Sequence, residues 1–285
     1  PPAGLVVGAE RDDRGVGGKR ISTVRQFWST LFVHRDALYL IGRDSDWKGA
    51  VIRRSDDGGR TWSDPVDRRT GRLLRGPVHC APVPVLRHGG RLWRAMELFD
   101  DPGEWAERSR AFVMSASTDS DLLDADSWRC SEKISYNEKR WKGMGWIEGN
   151  AAVTPEGDVV NILRVARLQG QAAVISISQD GRRAAFDPRR DYIRFPGSAK
   201  KFTIRYDPPS ERYWSITNHG RWYDRIRTLH PGWVRNRAVL VSSPDLEHWT
   251  VHHTVVQHPD VYRHGFQYWD WQFEGDDIIA VSRTA

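Results

Sequence analysis

The sequence predicts an all-β chain folded as a β-propeller, and three observations carry the prediction. Helical periodicity is hard to find in the 285 residues, whereas short β-rich runs closed by Gly, Asp and Ser turns recur from end to end. A strand ending in a Ser/Asp/Gly/Trp turn returns at a near-constant interval: with Ser55, Ser115, Ser178 and Ser243 as markers, the spacings are 60, 63 and 65 residues. A second strand precedes each marker, and five copies of it are visible. Four antiparallel strands per unit of roughly 60 residues make a propeller blade, and a sandwich does not repeat in this way.

In chain order, the marker strands are Ala50–Ser55 leading to Trp62, Phe112–Ser115 leading through Asp126 and Ser127 to Trp128, Ala173–Ser178 leading to Asp180 and Gly181, and Ala238–Ser243 leading to Trp249. The strands before them are Ala37–Ile41, Arg91–Ala95, Asp158–Ile162, Arg212–Ile216 and Asp277–Val281. Each is entered by a hairpin turn, such as His88-Gly89-Gly90, Pro155-Glu156-Gly157 or Glu274-Gly275-Asp276. The last unit reaches Ala285 after two strands, so its outer strands are expected from residues 1–27 or from sequence outside this chain; Leu5–Gly8 and Ile21–Val24 are the candidates. No linker interrupts the pattern, and residues 1–285 read as one domain, because the blades of a ring bury their faces only against their neighbours.

Composition narrows the function. At 39% hydrophobic and 28% charged, with 14 Trp, 8 Tyr and 9 Phe, the chain is too aromatic to stay disordered. No apolar run approaches the roughly 20 residues of a membrane-spanning helix, and the first residues lack a basic-then-apolar leader, so a soluble chain is expected whose signal peptide is absent or already removed, and its compartment is left open. The formal charge is +6, and seven lysines stand against 36 arginines. Guanidinium groups bind carboxylate bidentately, so arginines in a concave site suit an anionic small substrate, although a GC-rich genome gives the same skew. The cations alternate with acids instead of forming a stripe, which argues against nucleic acid. Cys80 and Cys130 lack His partners at metal-ligand spacing, so neither a metal nor another cofactor is expected. On a blade they fall about three strand spacings apart, roughly 14 Å, too far for a disulfide.

Ser55-Asp56-Asp57-Gly58-Gly59-Arg60-Thr61-Trp62 matches Ser-x-Asp-x-Gly-x-Thr-Trp at every specified position. Its Ser and Asp oxygens suit turn amides, its glycine a left-handed conformation, and its tryptophan the gap between blades. The segment resembles an Asp box, the hairpin signature of the sialidase superfamily, and is a structural brace. The resemblance extends over Ser45-Asp46-Trp47 and Val51-Ile52-Arg53-Arg54-Ser55, and it covers residues 45–62 tightly and most of the chain loosely. It implies a sialidase-like propeller in which Asp46 is the general acid and Arg25 a ligand of the substrate carboxylate; sialidases carry Arg-Ile-Pro where this chain has Arg25-Gln26-Phe27. It further implies Glu148 as the base beside a nucleophilic Tyr268, with Arg164 and Arg235 or Arg237 completing the carboxylate-binding set. Between the Asp box and Glu148 there is one further blade, which fits a five-bladed relative or a trimmed six-bladed ring.

The chemistry of the set is coherent. A tyrosine becomes a useful nucleophile only when a carboxylate takes its proton, arginines hold an acidic sugar, and an acid protonates the leaving oxygen. Asp270 alternates onto the face of Tyr268, and paired carboxylates such as Glu148 with Asp46 or Asp270 can instead run ordinary glycoside hydrolysis. Trp28, Trp47, Trp146, Trp222, Trp233 and Trp269 are possible sugar platforms, although most tryptophans serve interblade packing, and His79-Cys80 marks a pocket rim or a packed core pair. The expected function is therefore an exo-acting glycosidase for an acidic sugar. The alternatives are a non-catalytic glycan- or protein-binding propeller and a polysaccharide lyase.

Overall fold

The computed structural model describes residues 6–12, 15–20, 24–197, 199–220 and 229–284, and for residues 6–20 the backbone alone. The expected sugar platform Trp222 lies outside them. Apart from short 3₁₀ turns at Ala125–Ser127 and Pro231–Trp233, the regular structure described is strand.

Five sheets follow one another along the chain from residue 26. The first runs Gln26–His34, Ala37–Asp44, Gly49–Ser55, Arg72–Arg75 from the axis outward. In the second, the short Val78–His79 and Leu86–His88 form the inner edge of Arg91–Phe99, followed by Ser109–Ser117 and then Trp128–Cys130 with Ile134–Ser135. The third runs Trp146–Val153, Val159–Val165, Gln171–Ile177, with Ala184–Ala185 and Tyr192–Arg194 outside. The fourth runs Thr203–Asp207, Arg212–Asn218, Arg237–Ser243, Thr250–Gln257, and the fifth consists of Phe266–Glu274 and Asp277–Thr284. All pairings are antiparallel, and each of the repeated strands read from the sequence lies in its expected place.

Burial explains the sequence pattern. The second strand of a blade is covered on both faces by adjoining blades, so Ala37–Asp44 and Arg91–Phe99 are buried almost throughout and read as near-continuous apolar runs. The outermost strand Thr250–Gln257 is largely exposed. The core is a series of interblade layers. Ile41 and Ile52 of the first sheet meet Met96 and Phe112 of the second. Trp93 and Val113 meet Trp146 and Leu163 of the third, Ile162 meets Phe202 and Tyr213 of the fourth, and Ile216 and Ala238 meet Trp269 and Trp271 of the fifth.

The turns closing the third strands are self-contained. The Ser55 hydroxyl donates to Asp57 Oδ1 (2.8 Å) and accepts from the Gly59 amide (2.8 Å), while Asp57 accepts from the Arg60 and Thr61 amides (3.0 and 2.9 Å). The Trp62 indole donates to Gly59 O, and Gly58 and Gly59 take φ values of 72° and 90°, which glycine adopts without the penalty of a Cβ. Led by the Thr61 amide, these donors hold the Asp57 carboxyl well below the usual carboxylate range. Ser243, Asp245 and Trp249 repeat the design, and Trp249 stands edge-on to Phe195 between the third and fourth blades. Cys80 is buried by the axis and Cys130 lies on an outer strand of the same sheet, and both are free thiols.

The expected closure of the last blade by residues 1–27 differs from what is seen. Val6–Asp12 and Gly15–Arg20 pair with each other in a separate hairpin, and among the described residues the fifth sheet remains two-stranded; Leu5 and Ile21–Thr23 lie outside the described residues. The outer strand of that sheet leaves Ile279 and Val281 half or more exposed.

Candidate active site

Three inner strands share a local device that the sequence did not announce. In each, the register slips by one residue near the start, between Phe27 and Thr30, Ile147 and Asn150, and Gln267 and Asp270. Within each slip stands a non-glycine residue at positive φ: Trp28 at 50°, Glu148 at 61° and Tyr268 at 56°. A bulge of this kind re-aims a side chain, here toward the axis, and the left-handed conformation costs about 1–3 kcal/mol per residue, a cost characteristic of functional positions. Gly149 follows Glu148 because a Cβ there would lie 2.2 Å from Asn161 Oδ1.

The bulges bring the chemistry together. Tyr268 Oη donates to Glu148 Oε1 at 3.2 Å, and Arg164 Nη1 donates to Glu148 Oε2 at 2.6 Å. The Trp28 indole stacks on the Tyr268 ring at 5.0 Å, and the Arg283 guanidinium lies 4.5 Å from the centre of the same ring. Arg235, anchored by its Nε to Gly232 O at 2.6 Å, adds a second guanidinium whose charge is felt by Tyr268. Beneath them Lys201, buried, donates from Nζ to Trp269 O (2.6 Å) and Thr203 Oγ1 (2.5 Å).

These neighbours set the charges. Burial acts to raise the Glu148 pKa, but Arg164, His79 and Lys201 outweigh it and hold the carboxyl below its ordinary value. Burial and the Glu148 charge push the Tyr268 phenol up to about 12 against the pull of the arginines. At rest the site therefore holds a carboxylate acceptor against a protonated phenol. Burial lowers Lys201 to about 8, and burial and Arg164 lower Arg235.

The other expected residues fall elsewhere. Asp46 turns to solvent with 62% of its side chain exposed and lies near Ser45 Oγ (3.1 Å) and Lys48 Nζ (3.7 Å). Arg25 is exposed just ahead of the first inner strand. Asp270 is half-exposed and faces Arg205 at 3.4 Å, because the bulge at Tyr268 breaks the alternation that would have put both on one face. Trp146, expected as a sugar platform, is wholly buried in an interblade aromatic layer with Tyr136, Trp141 and Phe186. Trp47 is half-buried at the site end of the first blade, with Arg43 over its ring at 3.7 Å and His79 stacked at 6.2 Å.

Glu97, Lys201 and Arg283 were not anticipated. A carboxylate in the buried run Leu92–Phe99 was the available signal for Glu97, since such a group is costly to bury without partners. A separate cavity of about 720 Å³ opens where the inner strands end, lined by Arg87, Thr154, Tyr206 and Gln272, far along the strands from Glu148 and Tyr268. Among the described residues no helix is long and apolar enough to cross a membrane, and no group of three His, Cys, Asp or Glu side chains is placed to hold a metal ion.

Comparison with solved structures gives the architecture a context. An exo-β-1,3-galactanase from Clostridium thermocellum superposes with a TM-score of 0.55 at 13% identity, over 98% of this chain and 57% of that one. An α-L-arabinanase from Cellvibrio cellulosa gives 0.51 at 14% identity over 92% and 87%, and an α-L-arabinofuranosidase from Lactobacillus brevis 0.55 at 10% over 91% and 83%. The likeness is one of fold. The chain is a β-propeller, and its neighbours are five-bladed ones. It spans less than two thirds of the galactanase chain. No protein-family model matches the sequence, and no curated protein does. These three neighbours are named for galactan and arabinose chemistry, and they do not confirm the sialidase expectation.

Proposed function

We propose that the chain is a glycoside hydrolase, exo-acting on a terminal acidic sugar, with Tyr268 as nucleophile and Glu148 as its base. The observation that carries the reading is the hydrogen bond from Tyr268 Oη to Glu148 Oε1, flanked by Arg164 and Arg235. A carboxylate nucleophile would repel an anionic sugar, whereas a phenol approaches uncharged and releases its proton to Glu148 only as its oxygen bonds to the anomeric carbon. Arg164 and Arg235 supply bidentate donors for the sugar's carboxylate. Binding there draws Arg164 away from Glu148 and so raises the basicity of Glu148 when the proton must move. The propeller fold shared with galactan- and arabinan-cleaving enzymes is compatible with this chemistry but does not select the sugar.

The test is hydrolysis of nitrophenyl glycosides of sialic acid, glucuronic acid, galactose and arabinose. Turnover confined to an acidic sugar, abolished in Glu148→Gln and Tyr268→Phe, is the expected result. Turnover of the neutral sugars alone would sink the proposed role of the arginines, and unchanged turnover in Glu148→Gln would remove that residue from the mechanism. An unsaturated product absorbing in the ultraviolet would mark a lyase.

A further inference from the structure

The mechanism above leaves one proton without a donor, because Asp46 faces solvent. A second buried pair stands beside the first. Glu97, wholly buried in the second blade, uses both carboxylate oxygens: Oε1 accepts the Gly149 amide at 2.9 Å, and Oε2 lies 2.8 Å from His79 Nδ1. An ionised carboxylate only accepts, so Nδ1 carries the hydrogen, and Nε2 is the nitrogen left to exchange a proton. Such a pairing fixes tautomer and ring orientation.

The ring is packed in an aromatic cluster, stacked on Phe99 at 4.8 Å, close to Trp47 at 6.2 Å and edge-on to Trp105 at 5.6 Å. Buried Arg94 fixes the segment just after it by donating to Ala81 O and Val83 O. His79 also shares a wall with the nucleophile: the Trp28 indole lies 6.3 Å from its ring and 5.0 Å from that of Tyr268. The same carboxylate therefore orients the imidazole and ties down the backbone next to Glu148.

We propose that His79, oriented by Glu97, is the general acid that protonates the departing oxygen, an inference that rests on the hydrolase reading. As the bond between the anomeric carbon and the leaving oxygen breaks, the Nε2 proton passes to that oxygen; the Tyr268 oxygen bonds to the carbon and its proton goes to Glu148. In the second half, neutral His79 takes a proton from the water whose oxygen displaces Tyr268, and Tyr268 recovers its proton from Glu148. Glu97 is a positioning residue.

The experiment compares kcat/KM of the wild type, His79→Asn, Glu97→Gln and Tyr268→Phe on methyl and nitrophenyl glycosides of sialic acid and of glucuronic acid. Nitrophenol leaves without protonation and methanol does not, so His79→Asn is expected to fall about 10²–10³-fold on the methyl glycoside and less than about threefold on the nitrophenyl one. Glu97→Gln should fall in the same selective way by a smaller factor, and Tyr268→Phe should lose both. Retained nitrophenyl turnover in His79→Asn also reports an intact fold. Equal loss on both leaving groups, or no loss, overturns the role of His79 and leaves the hydrolase reading standing. An inactive wild type on all four compounds overturns both.

Discussion

The two ends of the blades are built on opposite principles. At the turn end, Ser55, Asp57, Gly59 and Trp62 satisfy one another within eight residues. At the axial end, Trp28, His79, Glu148, Lys201 and Tyr268 come from five different blades, and Glu148 and Tyr268 are 120 residues apart in the chain. The first end stabilises by local hydrogen-bond geometry, with Gly58 and Gly59 taking the left-handed positions in the first turn and Leu246 in the fourth. The second spends stability, through left-handed non-glycine residues and buried charges, on arranging groups that cannot be arranged locally.

The contrast breaks most sharply on the pair itself. Tyr268→Phe and Glu148→Gln are each expected to reduce kcat by about 10³-fold or more, and the double variant to lose little beyond either single one, since the two act as a unit. Additive losses in the double variant would separate them. Next comes the bulge: Gly149→Ala forces its Cβ against Asn161 and should destabilise by about 1–3 kcal/mol in urea unfolding while also lowering kcat, because Glu148 shifts with the backbone.

A third prediction concerns charge. Lys201 releases its proton near pH 8 when folded and near 10.5 when unfolded, so the unfolded chain binds more protons between these values and stability rises with pH across that window. Above about pH 10 the trend reverses, because Tyr268 and Tyr213, raised to about 12 in the fold, ionise first in the unfolded chain. Lys201→Met should flatten the rise from pH 8 to 10 in denaturant midpoints and leave the decline above it. The smallest effect belongs to the turn end. Ser55→Ala removes a buried hydroxyl that bridges Asp57 and Gly59 and should cost about 1 kcal/mol with kcat unchanged.

The same division explains what was legible in the sequence. The strands and their turns show themselves in a single blade, so periodicity and turn chemistry located them from residue 37 to residue 281. The pairing of Glu148 with Arg164 was within reach, since the two lie on neighbouring strands of one sheet. Its extension to Tyr268 came from resemblance alone, because nothing local specifies which residues face each other across a ring. Asp270 went astray because strict alternation fails at a bulge. Trp146 went astray because an aromatic on an inner strand serves a layer as readily as a pocket. Glu97 escaped because its partners, His79 and the Gly149 amide, are 18 and 52 residues away.

The stacking of Trp28 on Tyr268 joins the first inner strand to the last, across a seam where no strand pairing is seen among the described residues. The residue proposed to react is thus also part of the clasp that keeps the circle shut. A sugar seated on that phenol would add its binding energy where the first and last sheets meet, so ligand and architecture would lend each other stability through one aromatic contact.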